Sequence, residues 1–103
     1  MKKGEWTFLS NHGRVLIFIC NNPKSTTEEI SRETELSQRG VQKIITELET
    51  AGYIARKKEG RRNLYTVYSE LPMRHHLEQD HMVGDIIRAL GGSPGKSTSR
   101  NIN

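Results

Sequence analysis

The sequence predicts an α+β domain that is mostly helical: a three-helix core, a β-hairpin, and a C-terminal helix. Three observations predict it. Val41, Ile44, Ile45 and Leu48 fall at i, i+3, i+4 and i+7, one apolar stripe of an amphipathic helix. Two strand-like runs joined by a charged, glycine-containing turn follow that helix directly. The length, 103 residues, admits one domain and not two.

Residues 7–21 read as the first helix, with Leu9, Val15, Leu16, Phe18 and Ile19 clustered on one side. Asn21-Asn22-Pro23 ends it, because proline disfavours helix in the residue before it. A second, short helix opens near Ser25-Thr26-Thr27 and closes near Glu33-Thr34, anchored by Ile30. Thr26 and Glu29 stand at capping-box spacing. Ser37 is an N-cap for the third helix, which runs from about Gln38 to Ala51, and Gly52 is its left-handed C-cap. The strands are Tyr53–Lys58 and Asn63–Tyr68, with Glu59-Gly60-Arg61-Arg62 between them. Residues 71–81 show no clear pattern. Val83, Ile86, Ile87 and Leu90 support a last helix at about 82–90, stopped by Gly91-Gly92. The organisation is then an N-terminal arm (1–6), one domain (7–90), and a polar tail (91–103) expected to be disordered.

Charge is concentrated in one place. Lys and Arg number 16 against 12 Asp and Glu, a net charge of +4. Residues 1–50 balance at zero, residues 51–70 carry +3, and residues 71–103 carry +1. The excess is Arg56, Lys57, Lys58, Arg61 and Arg62, an electrostatic footprint for a polyanion. A solvated hairpin without a partner has the same composition. The single cysteine, Cys20, sits in the apolar run 15–20, reads as a core residue, and cannot form an intrachain disulfide. With no export signal and no apolar stretch of about 20 residues, a cytoplasmic protein with no membrane association is expected.

The order of helix, short helix, tight turn, longer amphipathic helix and basic hairpin is that of a winged helix-turn-helix. Such a unit lays its second helix in the major groove of duplex DNA. The groove is about 12 Å wide, so the outward face must carry small or hydrogen-bonding side chains over an apolar inner face. The third helix offers Ser37, Gln38, Arg39, Gln42, Lys43 and Thr46 outward. Arginine bonds guanine, and glutamine adenine, in bidentate fashion. Gly40 would let that end approach DNA closely. Glu28, Glu29, Glu47 and Glu49 can all avoid phosphates if the N-terminal end of the third helix enters the groove.

Over Thr7 to Leu90 the chain resembles bacterial and archaeal winged helix-turn-helix regulators of the MarR/ArsR-like group. Residues 27–31 through Leu36-Ser37 are similar to their helix and turn. Residues 41–54 are similar to their recognition helix and its exit, and Gly60-Arg61-Arg62-Asn63-Leu64-Tyr65-Thr66-Val67 to their wing. Residues 71–78 and 83–90 resemble the tail of a small single-domain subgroup, with His76 where that pattern has proline. The resemblance implies base reading by helix 38–51, contact of the 56–62 wing with phosphate or minor groove, and transcriptional repression. The expected DNA-binding set is Ser37, Gln38, Arg39, Gln42, Lys43, Thr46, Lys57, Lys58, Arg61 and Arg62.

The same residues admit other readings. A protein-interaction or scaffold winged helix would show acidic or apolar residues on the exposed face of the third helix. A ligand- or metal-responsive switch would need a pocket between the helices or at a dimer interface. His75, His76 and His81, with Glu78 and Asp80, are ligand-type residues. They lack a paired cysteine, and adjacent histidines in an extended segment point apart, so surface or dimer-edge roles are expected and no metal or cofactor. His12 reads as a helix or interface residue. Trp6 and Phe8 at one end, with Val83, Ile86, Ile87 and Leu90 at the other, suggest a homodimer seam. No Gly-rich phosphate loop or carboxylate pocket points to an enzyme.

Overall fold

Hydroxyl side chains set where the first three helices begin. In the computed structural model, which describes residues 6–91, the helices are α1 (Asn11–Asn21), α2 (Thr27–Thr34), α3 (Gln38–Thr50) and α4 (Val83–Ala89). The strands are β1 (Ile54–Glu59) and β2 (Arg62–Val67). Ser10 Oγ accepts from Gly13 N at 3.1 Å, so α1 starts at Asn11 and not at residue 7. A cap signal at Ser10 was present in the sequence, but the apolar pattern reaching back to Leu9 masked it. The α2 capping box forms as expected, with Glu29 N donating to Thr26 Oγ1 at 3.1 Å and Thr26 N to Glu29 Oε1 at 2.9 Å. Glu35, at φ 63°, closes α2 in the left-handed conformation, and Leu36 N returns to Ser31 O. Ser37 Oγ then accepts from Gly40 N at 3.0 Å to open α3. Gly52, at φ 88°, follows the Ala51 cap.

β1 and β2 pair antiparallel with Ile54 opposite Val67 and Glu59 opposite Arg62. The expected four-residue turn is therefore only Gly60-Arg61. Gly60 takes φ 61°, as the first central position of a two-residue hairpin turn demands. Tyr65 and Val67 face the core while Thr66 and Tyr68 face solvent. Tyr65 N donates to Pro23 O at 2.8 Å, which ties the hairpin to the loop before α2.

Residues 71–82, without pattern in the sequence, form a loop whose ends meet. Pro72 and Met82 make an isolated antiparallel bridge, and Val83 N donates to Leu71 O at 2.8 Å. Tyr53 Oη donates to Pro72 O at 2.5 Å and fixes the loop to the end of α3. α4 seats where Gly84 N meets Ser69 O at 2.8 Å; a Cβ there would lie 3.0 Å from that oxygen. Helix packing and this hairpin enclose one core: Val15, Leu16, Ile19, Ile30, Val41, Ile44, Ile45, Leu48, Tyr53, Ile54, Tyr65, Val67, Val83 and Ile87.

Two expectations are corrected here. Val83 and Ile87 do not form an open seam; Ile87 is 0% exposed within the monomer, and only Ile86 and Leu90 of that group retain surface. His75 and His76 do not point apart. Residues 74–80 are bent rather than extended, and the two rings stack with centroids 4.5 Å apart. The proposed arm, apart from Trp6, and the tail from residue 92 onward lie outside the described residues.

Candidate nucleic-acid interface

The two faces of α3 separate cleanly. Val41, Ile44, Ile45 and Leu48 are buried, and Gln38, Arg39, Gln42, Lys43 and Thr46 are all exposed. The 3.6-residue period alone requires this once one stripe is fixed inside. Amide, guanidinium, ammonium and hydroxyl groups share the outer face, so it offers both donors and acceptors, as base edges require. Ser37 is also exposed, but its oxygen already accepts from Gly40 N. What it can offer a ligand is its O–H as donor and a remaining lone pair. Gly40 has a local reason to be glycine: a Cβ would meet Ser37 Oγ at 3.1 Å. Its value lies in the cap as much as in any approach to DNA.

Three carboxylates of α2 and α3 have local partners. Glu29 accepts from Arg62 at 2.9 Å, Glu49 lies 3.3 Å from Arg56, and Glu47 Oε1 lies 2.6 Å from His12 Nε2. The Arg62 guanidinium, followed by the Thr26 N–H, lowers the Glu29 carboxyl below its ordinary range. The His12 hydrogen bond does the same for Glu47. Three of the four glutamates that had to avoid phosphates thus carry local partners.

The basic hairpin divides by geometry. Lys57, Lys58 and Arg61 are exposed and make no ion pair with a described residue. Arg61 stands at the two-residue tip. Lys57 and Lys58 are consecutive strand residues and point to opposite faces of the hairpin, so one surface cannot receive both. Arg62 is different again. Its Nη1 donates to Lys24 O at 2.9 Å and to Glu29 Oε1 at 2.9 Å, which latches the hairpin to the start of α2. In the sequence Arg62 stands among the other hairpin cations; its partners lie 33 and 38 residues away and leave no local signal.

A cleft of about 360 Å³ opens on the far end of α3, lined by Leu9, His12, Leu16, Leu48, Met73 and Ile86 among others. Among the described residues, no group of three or more His, Cys, Asp or Glu is arranged to hold a metal ion. No helix of the described residues is long and apolar enough to cross a membrane.

Several solved structures share this architecture. MepR, a transcription regulator of the Staphylococcus aureus multidrug efflux pump MepA, superposes with TM-score 0.51 at 18% identity, over 57% of this chain and 46% of MepR. The predicted DNA-binding transcriptional regulator from E. coli gives TM-score 0.54 at 20% identity, over 76% of this chain and 70% of that one. A Lactococcus lactis ZitR variant in complex with DNA gives TM-score 0.50 at 17% identity, over 66% of this chain and 48% of ZitR. The chain therefore matches about half the length of MepR and ZitR, and at these identities the likeness is one of fold. No curated protein sequence matches the chain at a significant level. The MarR family model matches residues 7–62, more than half of the sequence and the whole stretch from before α1 to the start of β2. The chain belongs to the MarR family, whose members are transcription regulators and not enzymes.

Proposed function

We propose that this chain is a sequence-specific duplex DNA-binding regulator of transcription, acting in the cytoplasm as a dimeric repressor. The observation that carries the reading is the outer face of α3, where five exposed hydrogen-bonding or basic side chains stand over four buried apolar ones. Gln38, Arg39, Gln42, Lys43 and Thr46 read base edges in the major groove, with Ser37 at the helix start. Arg61 and one of Lys57 and Lys58 contact phosphate or minor groove. Arg62 positions the wing through Glu29. The DNA-bound state of ZitR supports this use of the fold. A scaffold role would place acidic or apolar groups on the same face, and none of these five is either.

The test is a gel shift with the protein's own upstream region and with random duplex, at two salt concentrations. Specific binding with a steep salt dependence is expected. Equal affinity for both duplexes at both concentrations would remove the sequence-specific reading.

A further inference from the structure

Trp6 is 76% exposed and Phe8 93% exposed, the two largest apolar exposures together in the described residues. Their rings are not loose. They pack edge to face, with centroids 5.0 Å apart. The segment that bears them is held from behind: Arg14 Nη2 donates to Thr7 Oγ1 at 2.7 Å, and Thr7 Oγ1 donates to Leu9 O at 2.8 Å. Ser10 is spent as the α1 cap, so the direction of the arm relative to α1 is set. A preformed aromatic pair is thus carried away from the body that bears it.

The cleft at the far end of α3 begins where this arm is rooted. Leu9 and Ser10 line it, with Leu16, Leu48, Ala51, Tyr53, Met73, Val83 and Ile86 as largely apolar walls and Glu47 on its lining. Trp6 is three residues from Leu9 and so lies within about 10 Å of the rim. Each chain therefore bears an aromatic plug beside an apolar socket that its own plug does not fill.

The geometry points to reciprocal exchange: the Trp6–Phe8 pair of one chain occupies the α1–α3–α4 cleft of a second copy, and the reverse. This rests on the dimeric reading above and names its surface. A two-fold axis closes such a contact, because plug and socket are neighbours on one patch. Four aromatic side chains bury roughly 600–1,000 Å². The cleft walls add a smaller area, which brings the contact to about 1,000 Å², the size of a weak pair that forms only as concentration rises. A buried indole N–H needs an acceptor. Glu47 lines the cleft and can offer its second carboxylate oxygen, since its bond to His12 is through Oε1. The cleft lies at the C-terminal end of α3, around Glu47 and Ala51, while Gln38, Arg39, Gln42 and Lys43 stand at the other end. Pairing there leaves both base-reading ends open.

Trp6 is the one tryptophan of the chain, so its fluorescence reports the exchange directly. The full chain is examined from low micromolar to submillimolar concentration by sedimentation and Trp6 emission. The parent is expected to pass from monomer to dimer as the emission shifts to the blue. The double substitution Trp6→Ala with Phe8→Ala should weaken dimerisation by about thirtyfold or more and leave the far-UV circular dichroism unchanged. Ala51→Arg, at an exposed cleft position and a helix C-terminus that favours a cation, should keep the fold and block the socket. Its mass should be monomeric and its emission red. A dimer that survives in either variant overturns the exchange while leaving the dimeric reading intact. A parent that is monomeric throughout overturns both. Blue emission independent of concentration means each arm fills its own cleft, and also overturns it.

Discussion

Arg61 and Arg62 are adjacent in sequence and face different tasks. Arg61 stands at the hairpin tip without an ion partner among the described residues, whereas Arg62 reaches Glu29 and the Lys24 carbonyl. Each phosphate neutralised adds about 0.9 to the slope of log affinity against log salt. Arg61→Ala should therefore reduce that slope by about one. Arg62→Ala should leave the slope nearly unchanged and lower specific affinity through a misplaced wing. Equal slope changes in the two variants would put Arg62 on phosphate and refute its role as a latch. Arg39→Ala should cost about 1–3 kcal/mol of specific binding and leave random duplex nearly unaffected. Equal losses on both duplexes would make Arg39 a phosphate contact.

At the scale of elements, α3 serves two masters, and its inner stripe holds the domain together. Leu48 is buried beside Ile45 in the core, so Leu48→Ala should destabilise by roughly 2–5 kcal/mol, read from denaturant unfolding. Ile87, 0% exposed, gives α4 the same role. Ile87→Glu should unfold the monomer, at a cost of roughly 3 kcal/mol or more, rather than separate a folded dimer. A folded variant with parental melting would return Ile87 to the seam. Helix junctions also carry a pH dependence. Glu29, Glu47 and Asp85 are all lowered, by Arg62, by His12, and by the Met82 N–H with Arg88 respectively. The unfolded chain then binds more protons than the folded one as pH falls below the ordinary carboxylate values of 4.5 and 3.8. Stability from these groups is complete above those values and is lost as pH drops through the folded ones. Glu29→Gln should flatten the acid limb of a melting-temperature profile. An unchanged limb would mean that the Arg62 contact is not maintained in solution.

For the molecule as a whole, the polar arrangement matters more than the net charge of +4. The exposed polar end of α3, with Gln38, Arg39, Gln42 and Lys43, and the hairpin cations are not among the residues that line the apolar cleft. On the proposed function, that separation would let one small domain bind a polyanion and a second copy without competition. It also predicts that monomeric variants such as Ala51→Arg keep salt-dependent binding to a half-site while losing affinity for a two-half-site operator. Loss of both together would mean that the cleft contributes to DNA contact.

Local patterns determined a great deal by themselves. The Thr26–Glu29 capping box, the Ser37 cap, the apolar stripe of α3 and the alternation in β2 each act over a few residues, so each was legible in the sequence. So was the outward set from Gln38 to Thr46, because helical period assigns the second face once the first is apolar. Tertiary structure alone decided the partners that lie far apart in the chain. The Arg62–Glu29 latch, the Tyr53–Pro72 bond that orders residues 71–82, and the burial of Ile87 had no neighbouring signal. The same apolar residue in a short helix can serve a core or a seam. Only the seating of α4 at Ser69 and the place of Val83 and Ile87 in the core cluster show which one Ile87 serves, since burial is a property of what surrounds a side chain and not of the side chain itself.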